Sequence, residues 1–239
     1  MQPTFLPWSG YFALVDAADV FVFLDDFQFQ RRSWHHRNRI FAAPGEIAWI
    51  TVPAAHTGSD KRASINRVPP VLDTGFRRTF RGMVQQGYGR SEHLPELLPS
   101  LNRWIESDWA NLADLNIAFI DLALRLLGIQ TQTFRSSEVG STGRRSARLA
   151  DLLSRLGAKR YLAAAGSRDY MVEDGVFPLA GIATCFQDYE PVRYPQLGAD
   201  RFVPYLSVLD LLLQVGPDRA LSVIRAGNRP FRPWNDERS

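Results

Sequence analysis

The chain reads as an α/β protein, a single domain with a mixed, partly parallel sheet flanked by helices. Three observations predict this. After residue 107, strand-like and helix-like stretches alternate, the order that builds parallel sheets. The first 70 residues read instead as neighbouring strands with short links, which points to an antiparallel or mixed portion. The chain has 239 residues, 45% of them hydrophobic, and no clean linker. That is enough to bury one substantial core without a disulfide or metal staple. The domain is placed at residues 1–228. Residues 229–239 read as a polar tail, expected to be poorly ordered.

The elements follow in order. Residues 11–18 form a short helix, with Phe12 and Val15 on one face. Residues 20–24 read VFVFL and end in Asp25 and Asp26, a buried strand. Residues 47–52 form a second strand, stopped by Pro53. Residues 54–61 are a polar loop, and residues 63–68 a short edge strand. Residues 74–85 and 107–127 are helices. The second carries the stripe Leu112, Leu115, Phe119, Leu122 and Leu126, with Gly128 as its stop. Strand 131–136 leads through a glycine-rich loop to helix 144–156. Strand 160–164, a short helix after Gly166, strand 182–188 and helix 205–215 complete the pattern.

Composition excludes several classes. The single cysteine, Cys185, leaves no disulfide framework and no cysteine-based zinc site, and fits a reducing, cytoplasmic setting. His35 and His36 are adjacent, so their rings diverge, and no metal-ligand spacing appears. Neither a dinucleotide fingerprint, nor a P-loop, nor a nucleophile elbow is present. No cofactor is expected. No apolar run approaches a membrane span, so no membrane insertion is expected. Of 28 basic residues only Lys61 and Lys159 are lysines, yet the net charge is only +3. Basic and aromatic residues interleave near residue 34. That charge is too small for strong counterion release, and no nucleic-acid partner is expected.

The densest polar stretch runs from Asp25 to Arg39. Asp25 follows an apolar strand directly, where α/β sheets bind ligands, and is the leading candidate base. His36 is the second candidate for proton transfer. Gln28 shares one face of an extended segment with Gln30. Arg31, Arg32, Arg37 and Arg39 cluster, and arginine forks suit phosphate or carboxylate. Ser33 lies within the stretch. Ser136 and Ser137 end a strand ahead of a loop that can present N–H groups to an anion. Thr142 is positioned as an N-cap for the helix at residue 144. Ser207 and Asp210 read as a capping arrangement ahead of an apolar helix.

Several strings together resemble the WbqC-like family. They are Gln2-Pro3-Thr4-Phe5-Leu6-Pro7-Trp8 with Gly10-Tyr11-Phe12, then Phe23-Leu24-Asp25-Asp26, then Arg32-Ser33-Trp34 leading into Arg37-Asn38-Arg39-Ile40. The likeness resumes at 161–170, at Tyr194-Pro195-Gln196 and at 202–216. It implies a protein of surface-polysaccharide or specialised-metabolite assembly. The implied activity is a transferase moving an acyl or aminoacyl group, drawn from a carrier-protein thioester, to an amine or hydroxyl acceptor. The implied partners are a small-molecule or sugar substrate and an acyl or peptidyl carrier protein. Residues matching its motifs, Gln2, Arg37, Asn38, Tyr170, Tyr194 and Gln196, are expected to bind substrate. Two other classes stay open: a glycosyltransferase or nucleotide-sugar-processing enzyme, and a non-catalytic binding protein.

Overall fold

The structure, a computed structural model, describes residues 1–55 and 63–235. Its centre is helix α4, Leu112–Leu127. Asn111 caps it by accepting the Asp114 N–H at 2.9 Å, and Gly128 ends it at φ 70°. Leu112, Leu115, Phe119, Ile120 and Ala123 are all buried. Around it pack α1 (Ser9–Asp16), α2 (Thr74–Tyr88), α3 (Leu94–Glu106), α8 (Val208–Val215) and α9 (Pro217–Ala226). Trp104 of α3 lies among Phe5, Phe80 and Phe119 and donates its indole N–H to Leu115 O at 2.9 Å.

The fold is α/β with parallel and mixed strand pairings, as the alternation predicts. The strands divide among three small sheets rather than one. Strand β1 (Val20–Phe23) pairs in parallel with β4 (Gln132–Arg135), its partner more than a hundred residues away. Its sequence neighbours β2 (Arg37–Ala43) and β3 (Glu46–Thr51) form a separate antiparallel hairpin. Strands β5 (Arg160–Ala163), β6 (Ala183–Phe186) and β7 (Arg232–Pro233) make a mixed sheet. Strand β1 joins two cores. Phe21 and Phe23 enter the large one, while Val22 packs with Leu24 against a smaller one. That alternation is the two-residue period of an extended chain. The smaller core lies among β5, β6, α6 (Arg145–Arg155) and α7 (Arg168–Asp174).

Three expectations need correction, and two helices went unread. Residues 63–68 are no strand: Ser64 makes one bridge to Gln28, and residues 65–67 form a 3-10 turn. Helices α3 and α9 carry no clear signal, because Pro95 and Pro99 lie in the first and Pro217 opens the second. The polar tail is in part a strand: β7 pairs with β6, and Trp234 packs on Phe177 and Phe186. Thr142 does not cap α6; it ties to Asp151 within that helix. The loop expected at 54–61 lies mostly outside the described residues.

The hairpin is held hard against α2. A Cβ added at Gly87 would sit 2.1 Å from Phe41 O. Next to it, Tyr88 Oη accepts the Phe41 N–H at 3.1 Å. No helix among the described residues is long and apolar enough to cross a membrane.

Candidate functional site

The sequence-predicted residues fall into three groups. The first gathers at the carboxyl ends of the parallel strands β1 and β4. Asp25 is buried, at 1% exposure. Its Oδ1 accepts from Ser137 N at 3.1 Å and Ser136 Oγ at 3.2 Å, and its Oδ2 from Ser137 Oγ at 2.7 Å. The short helix α5, Ser136–Val139, thus begins on this carboxylate. Ser136 Oγ also bonds Asp26, whose other oxygen pairs with Arg148. Arg148 further bonds Ser141 Oγ and lies 4.8 Å from the Phe27 ring centroid. Ser136 is buried, whereas Ser137 is exposed. The hydroxyl of an exposed serine therefore rests on a buried carboxylate, beside a second carboxylate paired with an arginine.

The second group lies along residues 1–5 and 28–38. Leu24 N–H donates to Met1 O at 2.9 Å, which lays the N-terminal motif beside the end of β1. His35 is buried. Its Nδ1 accepts the Gln30 N–H at 3.1 Å, so the ring proton sits on Nε2 and donates to Gln2 Oε1 at 3.0 Å. Burial, with the neighbouring His36 ring, pulls its pKa down to about 4. Asn116 of α4 donates to Pro3 O and His35 O at 3.0 and 2.8 Å, pinning both segments to the central helix.

His36 has no lone pair to spare. Its Nε2 accepts the Arg32 N–H at 3.0 Å, and Nδ1–H donates to Val52 O at 2.9 Å. Burial lowers its pKa, and Arg37 and Arg31 lower it further. With the acceptor nitrogen engaged, a general-base role is disfavoured and a turn-holding role fits. Asn38 is likewise a clamp rather than a ligand-facing residue. At 2% exposure its Nδ2 donates to Phe5 O at 3.1 Å and Leu6 O at 2.6 Å, and its Oδ1 accepts the Arg39 N–H at 2.8 Å. Ser33 closes the same turn, donating to Gln30 O at 2.6 Å. Gln28 is exposed and bridges Ser64. Arg37 stands 4.4 Å over the Trp49 ring. Arg31, Arg32, His36 and Ala54 line a groove of about 350 Å³.

The third group was only half visible in sequence. Tyr194 Oη donates to Asp210 Oδ2 at 2.6 Å, and Gln196 Nε2 to the same oxygen at 2.8 Å. Gln196 also exchanges hydrogen bonds with the Val203 backbone. Asp210 is fully buried, and its desolvation raises its pKa despite the hydrogen bonds from Tyr194 and Gln196. Only the Ser207 half of the capping expectation applies: Ser207 Oγ accepts the Leu209 N–H, while Asp210 turns to the 193–203 loop. That loop lines a groove of about 450 Å³. Tyr170 belongs to none of these groups; it packs in the smaller core.

Sequence reasoning passed over Asp26, Arg148, Tyr88 and Asn116. Asp26 sat beside a named candidate. The other three lay in ordinary helices with nothing to mark them. Among the described residues no three His, Cys, Asp or Glu side chains gather to hold a metal.

The WbqC-like protein family model matches residues 2–221. Uncharacterized protein Rv1507c of Mycobacterium tuberculosis (strain ATCC 25618 / H37Rv) is 31% identical over 220 residues, covering 91% of this chain and 93% of that protein. No solved structure matches.

Proposed function

The chain belongs to the WbqC-like protein family, and from that premise we propose a transferase of polysaccharide or specialised-metabolite assembly. It moves an acyl or aminoacyl group from a thioester donor to an amine or hydroxyl acceptor. One observation carries the reading: Ser137, an exposed residue, donates its hydroxyl to the buried Asp25 carboxylate at the carboxyl ends of two parallel strands. Ligand crevices form at such strand ends.

In this reading Asp25 is the base and Ser137 its relay. The acceptor's O–H or N–H proton passes to Ser137 Oγ as the Ser137 proton passes to Asp25 Oδ2. The freed lone pair bonds to the donor carbonyl carbon, the carbon–sulfur bond breaks, and the thiol leaves with the proton from Asp25. Arg31 and Arg32 hold a phosphate on the donor through charge-assisted hydrogen bonds. Asp26 and Arg148 keep the Ser136–Ser137 turn in place.

Binding of acetyl-CoA and of UDP-N-acetylglucosamine, followed by thermal shift, separates an acyl donor from a nucleotide-sugar donor. Thiol release from acetyl-CoA with glucosamine as acceptor then tests the chemistry. Asp25→Asn and Ser137→Ala are expected to lower the rate by a factor of about 10² or more, the usual range for general-base assistance. Unchanged rates in both folded variants overturn the assignment. A shift with the nucleotide sugar alone favours the glycosyl-transfer class.

A further inference from the structure

The two edges of the β2–β3 hairpin are treated differently. On the β2 side every outward main-chain group of Arg39 and the N–H of Phe41 is taken. Asn38 Oδ1 accepts the Arg39 N–H, Ser207 N–H donates to Arg39 O at 3.1 Å, and Tyr88 Oη accepts the Phe41 N–H. Arg39 and Phe41 therefore face away from β3. Their register partners Trp49 and Ile47, and Thr51 opposite Arg37, must face away from β2 by the alternation of an antiparallel pair. Among the described residues, no other strand pairs with β3, and no backbone hydrogen bond from residues 46–51 leaves the hairpin. This edge lacks the usual guards of lysine, proline or a covering strand.

The solvent face beside that edge is also unusual. Trp34, Trp49 and Ile47 are 48%, 47% and 43% exposed, and the two tryptophan rings lie 5.4 Å apart. Arg37 stands over Trp49, with the Arg39 guanidinium 5.9 Å from the same ring. No ion pair of Arg37 or Arg39 occurs among the described residues. Tryptophan and arginine at an exposed patch are the residue types that anchor partners.

We infer that the outer edge of β3, with Trp34, Trp49, Arg37 and Arg39, docks an extended acidic segment of a partner polypeptide by strand addition. Main-chain groups of Ile47, Trp49 and Thr51 supply the ladder, and alternate side chains of the added strand fall on the Trp49 face. A strand added there lies roughly 10 Å from β2, two strand spacings, within reach of arginine side chains that already lean over Trp49. Charge chooses the occupant. Two copies paired edge to edge would bring four arginines to one face, whereas an acidic segment supplies the missing carboxylates.

The test is fluorescence anisotropy on the full chain with a labelled valine–glutamate alternating octapeptide. The comparison probes are a valine–lysine octapeptide, the acidic octapeptide N-methylated at alternate residues, and a thymidine dodecanucleotide. The acidic peptide is expected to bind at least about tenfold more tightly than the lysine peptide and the N-methylated peptide, because each lacks one half of the recognition. Arg37→Glu and Ile47→Pro are expected to weaken it by a similar factor. The N-methylated probe keeps the test valid should Ile47→Pro not fold. Equal binding of the acidic and N-methylated peptides overturns strand addition. Tighter binding of the dodecanucleotide, self-association without peptide binding, or no binding of the acidic peptide up to about 1 mM, a very weak limit, overturns the proposed occupant.

Discussion

Asn38→Ala isolates the clamp that folds the N-terminal motif onto the hairpin. Asn38 Nδ2 holds two carbonyls, Phe5 O and Leu6 O, and its Oδ1 holds the Arg39 N–H. Alanine strands all three in a place where Asn38 is only 2% exposed. Each unsatisfied buried group costs roughly 1–3 kcal/mol, and a water entering the vacated space recovers part of that. Leu6 also sits at φ 47°, a left-handed backbone that Asn38 helps to hold. Such a conformation costs a non-glycine residue about 1–2 kcal/mol, so loosening it returns a little. The expected net loss is about 3–5 kcal/mol, or roughly 6–20 °C in Tm for a chain of this size. Urea denaturation with matched m-values measures it. Asn38→Asp keeps the volume and the Arg39 acceptor but faces two carbonyls with an oxygen, so it should be at least as damaging at pH 7. A loss below about 1 kcal/mol for Asn38→Ala would refute the clamp.

Three further outcomes follow from the same geometry. His35 is neutral in the fold, with its pKa lowered to about 4 from 6.5, so between those values the unfolded chain binds more protons. Its contribution is complete above pH 6.5, falls as the pH drops toward 4, and totals about 3 kcal/mol; a stability profile flat from pH 7 to pH 4.5 in wild type would sink this account, and His35→Gln should flatten the slope. Gly87→Ala should destabilise by about 2 kcal/mol or more because its Cβ meets Phe41 O, while Gly82→Ala in the same helix, with nothing within 4 Å, should gain roughly 0.5–1 kcal/mol by thermal melting. Arg148→Ala should cost about 1–3 kcal/mol by leaving the Asp26 carboxylate, 20% exposed, without its cation, read by urea denaturation; Arg144→Ala one turn away, on an exposed residue, serves as the reference.

What could be read from residue order was whatever local chemistry dictates. Helix α4 announced itself through its apolar stripe and Gly128, although the pattern started it at residue 107 and the Asn111 cap starts it at 112. Strand β1 did so through five apolar residues closed by two aspartates. Helices α3 and α9 escaped because their prolines look like breakers in sequence, yet Pro95 and Pro217 stand in first turns, which have no N–H bond to lose, and Pro99 lies inside α3, where the helix runs on past it. The segment 63–68 looked like a strand from its apolar ends, yet tertiary packing lets it make only one bridge before it turns. Asp25 was legible as a site residue because it ends an apolar strand. His36 was misleading because residue type reports the presence of a titratable ring, not whether its lone pair is free.

The sequence by itself determined the helices with an uninterrupted apolar stripe, the faces of β1, the family motifs and the segment where polar chemistry collects. These depend on periodicity and on neighbours within a few residues. Only the tertiary structure decided which of those polar groups look outward. Asn38 and His35 were turned inward to satisfy main-chain groups of the 5–6 and 30 segments, because buried carbonyls and N–H groups must find partners. Ser137 was left exposed on Asp25 because β4 runs parallel to β1, a pairing across 111 residues or more that no local pattern encodes. The unguarded edge of β3 arose the same way, from the absence of a neighbouring strand among the described residues.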